Sequence, residues 1–320
     1  MTDFRHGRVL FVGDAAHQVS PFGARGANSG FQDADDLMWK LALVIKGQAS
    51  EKLLDTYAHD RQFAADENIM NSTRSTDFIT PKSRTSKTFR NQVLALAKHH
   101  PFARKLVNSG RLSVPSFLTQ SVLNTPDSDA FEGQMVPGAP MDDAPVRVQG
   151  QEAWLLDQVG RGFQALWFVD APPSADALAK LQALQQAAVP VHTLLVSREA
   201  LEVPGWPVLQ DVQGWMAQRY DATPGTVYLL RPDQHVVARW RTLDMAQLQA
   251  AEPTELVKFQ GGEQREDGMF VMPWASYDAT VNRIEELLYD LKVVQDVDWS
   301  SWQSAINPDL LFDPERIKSG

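Results

Sequence analysis

The sequence contains no cysteine among its 320 residues. This absence excludes disulfide bonds, thiolate nucleophiles, cysteine metal sites and dithiol redox chemistry. Basic residues are in the minority, with 30 Lys and Arg against 40 Asp and Glu, which gives a net charge of -10. Because nucleic acids and anionic membrane surfaces are both negatively charged, this balance disfavours them as partners.

Long apolar runs are also absent. Stretches such as residues 9–12 and 41–45 are far too short to cross a bilayer. The basic residues near the N-terminus are soon followed by Gly13 and Asp14, so no signal peptide is predicted. We therefore expect a cytoplasmic protein without a membrane partner. A composition of 43% hydrophobic and 22% charged residues is typical of a folded chain with about two domains.

Residues 1–123 are predicted to form one strand followed by helices. Residues 8–12 predict a strand buried on both faces. After a loop with Gly and Pro, a helix is predicted from about Asn28, ended by Lys46 and Gly47. Its apolar stripe consists of Phe31, Ala34, Leu37, Met38, Leu41 and Ile45.

A second, longer helix is predicted after residue 51. Its helical spacing is carried by Leu53, Leu54, Tyr57, Arg61 and Ala64. Pro81 and Pro101 each mark a helix boundary, because proline removes a helix hydrogen bond. Residues 124–150 are rich in Pro, Gly and Asp, which predicts a linker or an ordered extended loop.

Residues 151–254 predict a second unit of the α/β class. Its elements follow the order β-α-β-α-β-β-α, which suits one small sheet covered by helices. The predicted segments are 163–169, 176–188, 191–196, 212–220, 226–231, 235–241 and 244–251. Residues 255–320 predict a mostly helical tail without an assigned role, with one amphipathic helix over 277–291.

The segment from Gly13 to Gly30 carries the candidate chemistry. It contains GDAAH over residues 13–17 and SPFGARGANSG over residues 20–30. A carboxylate after a buried strand can accept hydrogen bonds from ligand hydroxyls, at the edge where open α/β sheets bind ligands. Small residues let the backbone approach a flat ligand, and a helix N-terminus favours negative charge. Together these features predict a site for a planar, anion-forming cofactor that carries a polyol.

These residues resemble the second flavin-binding motif of the class A FAD-dependent aromatic hydroxylases, which share the para-hydroxybenzoate hydroxylase fold. The stretches 33–41 (DADDLMWKL) and 54–61, which begins LDTY and ends at Arg61, are similar to the same family. The branch that the sequence resembles most is the phenol, resorcinol and 3-(3-hydroxyphenyl)propionate hydroxylases. The resemblance covers roughly the first 250 residues and implies a partial FAD-binding monooxygenase domain over residues 1–123.

The resemblance implies that NAD(P)H reduces a bound FAD and that O2 then hydroxylates a small phenolic compound. It assigns Asp14 to a ribityl hydroxyl of FAD and counts Gly13 and Gly23 among the cofactor-binding residues. The resemblance places Pro21 beside the flavin ring. It assigns the backbone N–H groups of Gly26, Ala27 and Asn28 to the pyrimidine edge.

Two departures from the family pattern stand out. Many relatives have Gly where this chain has Ala24, and Gly23 precedes it instead. No Gly-x-Gly-x-x-Gly motif for the FAD pyrophosphate occurs anywhere in the sequence. The chain therefore resembles the C-terminal part of a hydroxylase, which could be truncated, split or completed by another polypeptide. The alternative is a non-catalytic remnant or an assembly subunit.

The second unit resembles the thioredoxin-like C-terminal domain of the same hydroxylases. Residues 170–173 (DAPP) stand where a redox thioredoxin needs two cysteines, so the domain is expected to be structural, with homodimer contacts as one option. Pro224 stands where thioredoxin folds place a cis proline, which predicts a cis Thr223–Pro224 bond.

Several polar residues have a simpler interpretation beside the functional one. Asp14 is also typical of a turn or a helix cap. For His17 a hydrogen-bonded structural role is favoured over acid–base catalysis. Arg25 either steers NAD(P)H or is solvated.

Two adjacent pairs, His99–His100 and Asp35–Asp36, are interpreted as solvated faces rather than metal sites, because neighbouring helical residues diverge. Trp299 and Trp302 predict either a partner-docking tail or a packed C-terminal segment.

Overall fold

The structure, a computed structural model, describes residues 3–20, 25–107 and 114–251. The predicted tail, including the helix over 277–291 and both Trp299 and Trp302, lies outside the described residues. Within the part that is described, no helix has both the length and the apolar composition needed to span a membrane.

The N-terminal part consists of a short hairpin, a 3-10 turn and four helices. Its elements are β1 (Arg5–His6), β2 (Val9–Leu10), the 3-10 turn (Gly13–Ala15), α1 (Arg25–Ile45), α2 (Leu53–Ile79), α3 (Arg84–Ala97) and α4 (Pro101–Val107). Both proline boundaries are confirmed, since α2 ends before Pro81 and α4 begins at Pro101. Gly47, with a φ of +67°, follows the end of α1 as predicted.

The prediction of a strand buried on both faces over residues 8–12 is wrong. Only Val9 and Leu10 are extended strand residues, and they pair with β1 alone among the described residues. Burial on both faces requires neighbouring layers on both sides. Here the side chain of Val9 is exposed, while Phe11 and Val12 pack only partly against the hydrophobic core of α1 and α2.

The residues predicted to face the interior are buried in α2. In α1 the buried face differs from the predicted one. Every residue of the predicted stripe of α2 is buried. In α1, by contrast, only Leu37 of the predicted stripe is fully buried, and Phe31 and Ile45 are exposed. The residues that replace them in the interior include polar and charged ones, namely Arg25, Ser29, Asp33, Asp36 and Lys40, together with Trp39.

The second part is a seven-stranded mixed sheet with three helices, in the strand order β4-β3-β7-β6-β5-β8-β9. The strands are β3 (Pro145–Val148), β4 (Gln151–Trp154), β5 (Phe163–Phe168), β6 (Val191–Ser197), β7 (Val208–Gln210), β8 (Val227–Leu230) and β9 (Val236–Trp240). The helices are α5 (Ala175–Gln185), α6 (Trp215–Arg219) and α7 (Met245–Ala250). The predicted β-α-β-α-β-β-α series is present, with β3, β4 and β7 in addition.

The span 124–150 is an ordered extended segment that joins the sheet. The N–H groups of Thr125 and Gly138 donate to the carbonyls of Val237 and Val236, at 2.9 and 2.7 Å, so the span follows β9. The same span contains β3, and the sheet therefore begins before residue 151.

The prediction of a cis Thr223–Pro224 bond is wrong, because the described residues contain no cis peptide bond. The Thr226 N–H donates to the carbonyl of Thr223 at 3.0 Å, and Gly225 has a φ of +102°. Proline followed by glycine at positive φ is the pattern of a type II turn, in which a trans proline fits the second position.

One face of the sheet packs on the N-terminal helices. Trp39 of α1 and Leu53 of α2 belong to the same buried cluster as Phe163 of β5 and Leu229 of β8. The rings of Trp39 and Phe163 meet edge to face, with centroids 5.6 Å apart. The helices that carry the candidate site are thus held by the sheet.

Candidate functional site

Asp14 lies on the surface, in the 3-10 turn that directly follows Val12. Its side chain is exposed and makes no hydrogen bond or ion pair with any described residue. It does not cap the turn, because the N-cap position is Val12 and no side chain caps it. The carboxylate is therefore available to accept hydrogen bonds from a ligand.

The first turn of α1 is also open. Ala27 and Asn28 are exposed, and a methyl group on Gly26 would meet no heavy atom of the surrounding described residues within 4 Å. The first N–H groups of a helix have no acceptor inside the helix, and the helix dipole adds positive potential there. This turn can therefore receive an electron-rich edge of a ligand.

A contact between two glycines brings these features together. A Cβ atom on Gly30 would lie 3.3 Å from the Cα atom of Gly13, so the 3-10 turn rests directly on α1. Gly26 and Gly30 are four residues apart and share one face of the helix, separated by about 6 Å along its axis. Asp14 is thus carried by a turn that lies beside the open first turn of α1.

Asp33 of α1 fixes the position of the 3-10 turn through hydrogen bonds. Its fully buried carboxylate accepts hydrogen bonds from the Gly13 N–H at 2.9 Å, from His17 Nε2 at 2.7 Å and from Arg61 Nε at 2.7 Å. Burial alone would raise the pKa of Asp33, but the hydrogen bond from His17 and the charge of Arg61 hold it below its usual value. Asp33 is therefore a buried anion that connects the turn, α1 and α2.

His17 has the geometry of the structural interpretation. It is buried, stacks on Phe4 with ring centroids 5.6 Å apart, and bonds to Asp33 through Nε2. Its Nδ1 atom has no hydrogen-bond partner among the described residues.

Both interpretations of Arg25 assume an accessible side chain, and the structure shows a buried one. The guanidinium donates to the side chain of Asn68 in α2 and to the carbonyl of Val114. Arg25 therefore ties the start of α1 to its neighbours.

The interpretation of the Asp35–Asp36 pair as a solvated face is right for Asp35 and wrong for Asp36. Asp36 is buried, and its carboxylate contacts Lys40 Nζ at 2.6 Å and Arg231 at 3.2 Å. Position 36 falls on the side of α1 that faces the sheet, where ion pairing replaces water.

Arg231 follows β8 and brings the sheet into this group. Its guanidinium contacts Asp60 at 3.1 Å and Asp233 at 2.6 Å, besides Asp36. We call Asp36, Lys40, Asp60, Arg231 and Asp233 the buried charge cluster. Within it, the charges of Lys40 and Arg231 overcome burial and hold the pKa of Asp60 below its usual value, while Arg231 does the same for Asp233.

The remaining residues named in the sequence analysis are Pro21, Gly23, His99 and His100. Pro21 and Gly23 lie outside the described residues. His99 and His100 are exposed as predicted. Across the described ranges, no group of three or more His, Asp or Glu side chains could hold a metal ion.

Sequence reasoning missed Gly30, Asp33 and Arg61 as parts of the site. A signal was present, because Asp33, Leu37 and Lys40 follow the three- and four-residue spacing of an inward helix face. Charged residues on such a face must find buried partners.

The exposed carboxylate and the open helix turn fit the ribityl chain and pyrimidine edge of FAD. Carboxylate oxygens accept hydrogen bonds from hydroxyl groups, and backbone N–H groups donate to carbonyl and ring acceptors. The absence of a side chain at Gly26 leaves room for close approach.

Comparison with known families finds a match to the segment that contains these residues. Residues 1–72 match the model of the FAD binding domain family. Residues 236–319 match a family of unknown function.

Two relatives match this chain over only part of their own length. It is 30% identical over 267 residues to the 4-methyl-5-nitrocatechol 5-monooxygenase of Burkholderia sp., covering 80% of this chain and 44% of that protein. It is 31% identical over 299 residues to the 3-(3-hydroxy-phenyl)propionate/3-hydroxycinnamic acid hydroxylase of Mycolicibacterium smegmatis, covering 88% of this chain and 51% of that protein. The chain thus spans about half the length of these relatives.

Comparison of the fold with solved structures agrees with the sequence matches. The crystal structure of the flavin-dependent monooxygenase PieE, in complex with FAD and substrate, superposes with a TM-score of 0.57 at 22% identity, over 79% of this chain and 48% of that one. This likeness confirms the mixed α/β fold. The predicted relationship is therefore confirmed, and the chain is a relative of the FAD-dependent aromatic hydroxylases that spans about half their length.

Proposed function

We propose that this chain supplies the ring-facing part of an FAD site, in a monooxygenase that hydroxylates a phenolic compound with NAD(P)H and O2. The observation that carries the proposal is the pairing of an exposed Asp14, which has no partner among the described residues, with the exposed first turn of α1. Both lie within the residues that match the FAD binding domain family.

In this proposal each part of the site has one task. Asp14 accepts hydrogen bonds from the ribityl hydroxyls. The backbone N–H groups of Gly26, Ala27 and Asn28 donate to the pyrimidine edge, where the dipole of α1 stabilises negative charge. Pro21 is proposed to lie beside the ring, and Gly13 and Gly23 are proposed as further residues of the cofactor site. The bound FAD supplies the redox chemistry with NAD(P)H and O2.

The proposal assigns the FAD pyrophosphate to residues outside this sequence, since the sequence contains no Gly-x-Gly-x-x-Gly motif. A complementing polypeptide is the proposed partner that would supply them, with a homodimer as the other option. We propose the cytoplasm as the location, where NAD(P)H is available.

Titration of the full chain with FAD tests this function. We expect bound flavin to give a yellow protein and quenched flavin fluorescence. Asp14→Ala should weaken binding roughly 10- to 150-fold, because one charge-assisted hydrogen bond contributes roughly 1.5–3 kcal/mol. Asp66→Ala is the matched control, since Asp66 is an exposed carboxylate on α2. Equal affinity for the Asp14 variant and the unchanged chain would contradict the assigned role.

The second candidate is a non-catalytic remnant or assembly subunit that binds a partner through the sheet domain. It is favoured by the absence of a Gly-x-Gly-x-x-Gly motif for the FAD pyrophosphate from the sequence. A colourless protein that does not respond to added FAD would favour this candidate.

A further inference from the structure

We propose that Asp33 and Gly30 form a positioning device for the flavin-facing turn, with Asp33 as a positioning residue that does not contact the flavin. This inference rests on the proposed function, because it explains how Asp14 is presented. Asp33 is fully buried, whereas Asp14 is exposed, so the two carboxylates of the segment have separate roles.

The hydrogen bonds of Asp33 reach both ends of the turn. It accepts from the Gly13 N–H, directly before Asp14, and from His17, three residues after Asp14. With both flanks attached to one anion, the backbone of residues 13–17 has little freedom to rotate. Asp14 is then held outward in a single orientation, and less conformational entropy is lost when a ligand binds.

Arg61 makes the anion stable in its buried position. Its Nε donates to Asp33 Oδ1 at 2.7 Å, while Gly13 and His17 share Oδ2. Each carboxylate oxygen thus has a fixed partner, and α2 takes part in holding the turn. A buried carboxylate without such partners would not remain charged.

Gly30 sets the distance between the turn and α1. A Cβ atom at this position would lie 3.3 Å from Gly13 Cα, which is too close unless the backbone of the turn moves by a few tenths of an ångström. Gly30→Ala therefore displaces the turn without changing any charge. Because alanine is a better helix former than glycine, the same change supports α1.

The experiment compares FAD affinity with thermal stability in Asp33→Asn, Gly30→Ala and a control, Asp66→Asn, which changes an exposed carboxylate of α2. We expect Asp33→Asn to weaken FAD binding about tenfold and Gly30→Ala about three- to tenfold. Gly30→Ala should keep or raise the unfolding temperature, which separates positioning from general destabilisation. The control should change neither affinity nor folding. If both variants bind FAD as tightly as the unchanged chain, the inference is wrong.

A second measurement keeps the inference independent of the proposed function. Amide hydrogen exchange at Gly13, followed by NMR without flavin, should be about tenfold faster in Asp33→Asn, because its N–H loses a charged acceptor. If the unchanged chain binds no FAD, the proposed function fails for this chain alone. The exchange rate then decides the inference: faster exchange at Gly13 supports it, and an unchanged rate overturns it.

Discussion

At the residue scale, Arg231 is the most consequential single side chain outside the site. It is almost fully buried and contacts three carboxylates, those of Asp36, Asp60 and Asp233. Because α1, α2 and the turn after β8 each contribute one of them, this one guanidinium joins the helices to the sheet. Its planar fork of donors suits several carboxylates at once, which a lysine cannot match.

Replacing Arg231 with methionine should destabilise the protein by about 3–5 kcal/mol, because it leaves buried carboxylates without their main cation. The free energy of unfolding from chemical denaturation measures the effect. The matched control is Lys180→Met, which removes an exposed ion pair with Asp176 and should cost about 0–1 kcal/mol. Similar losses in the two variants would contradict the role given to Arg231.

The buried charge cluster also predicts a pH dependence. Burial raises the pKa of Asp36 to about 6, because it outweighs the charges of Lys40 and Arg231. The unfolded chain, with an Asp pKa of about 3.9, holds this proton less tightly, so the free energy of unfolding should rise by about 1 kcal/mol from this group as the pH falls from 7 to 5.

Asp36→Asn isolates this contribution. The lowered pKa values of Asp33, Asp60 and Asp233 give stability that is lost only as the pH falls below about 4, outside this window. The difference in unfolding free energy between the unchanged chain and the variant should therefore change between pH 7 and pH 5. A constant difference across this range would show that Asp36 does not titrate there.

At the element scale, the span 124–150 packs along β9. Within this span, Gly138 makes a very close contact with the backbone of a neighbouring segment. A Cβ atom on Gly138 would lie 2.4 Å from the carbonyl oxygen of Leu118, and its φ is +89°. The Leu118 N–H donates to the carbonyl of Gly138 at 2.7 Å, so this glycine connects two covering segments to the sheet.

Gly138→Ala should destabilise the protein by about 2–4 kcal/mol, through the unfavourable positive φ and the clash with backbone. Gly150→Ala is the matched control, since Gly150 has a similar φ of +81° but open space around it. The control should cost only about 1 kcal/mol. Thermal or chemical unfolding of both variants measures the difference, and equal losses would mean that the close contact has no energetic weight.

Most elements could be predicted from the sequence because their signals are local. Proline at 81 and 101, the burial pattern of α2 and the alternation of strands and helices after residue 160 depend only on neighbouring residues. The strands β3, β4 and β7 were missed because each is at most four residues long and is stabilised by pairing with distant segments. The inward face of α1 was misassigned because its buried positions are occupied by charges that require partners from α2 and the sheet.

At the scale of the whole molecule, the site depends on parts of the chain that are far apart in sequence. The motif from Gly13 to Gly30 could be assigned from residue types alone. The support of the turn by Asp33 and Arg61 could not, because it depends on how α2 folds against α1. The contact between Arg231 and Asp36 spans a longer sequence separation, since these residues are 195 positions apart. A flavin site predicted from its motif therefore lacks the residues that hold it in position.

Trp39 lies at the contact between the N-terminal helices and the sheet. It packs on Phe163 of the sheet, and the cations of Lys40 and Arg231 lie 5.4 and 5.8 Å from its ring centroid. If the helices and the sheet fold as one unit, Trp39→Ala should destabilise both together by about 3–5 kcal/mol. Hydrogen exchange by mass spectrometry should then show that α2 and β5 lose protection in parallel.

The control for this prediction is Trp154→Ala, in which an indole that is 51% exposed is removed from β4. It should change the free energy of unfolding by no more than about 1 kcal/mol, because little apolar contact is lost. If Trp39→Ala instead loosens α1 and α2 while β5 keeps its protection, the sheet folds independently of the helices. In that case the sheet could not be what holds the helices beside the 3-10 turn in position.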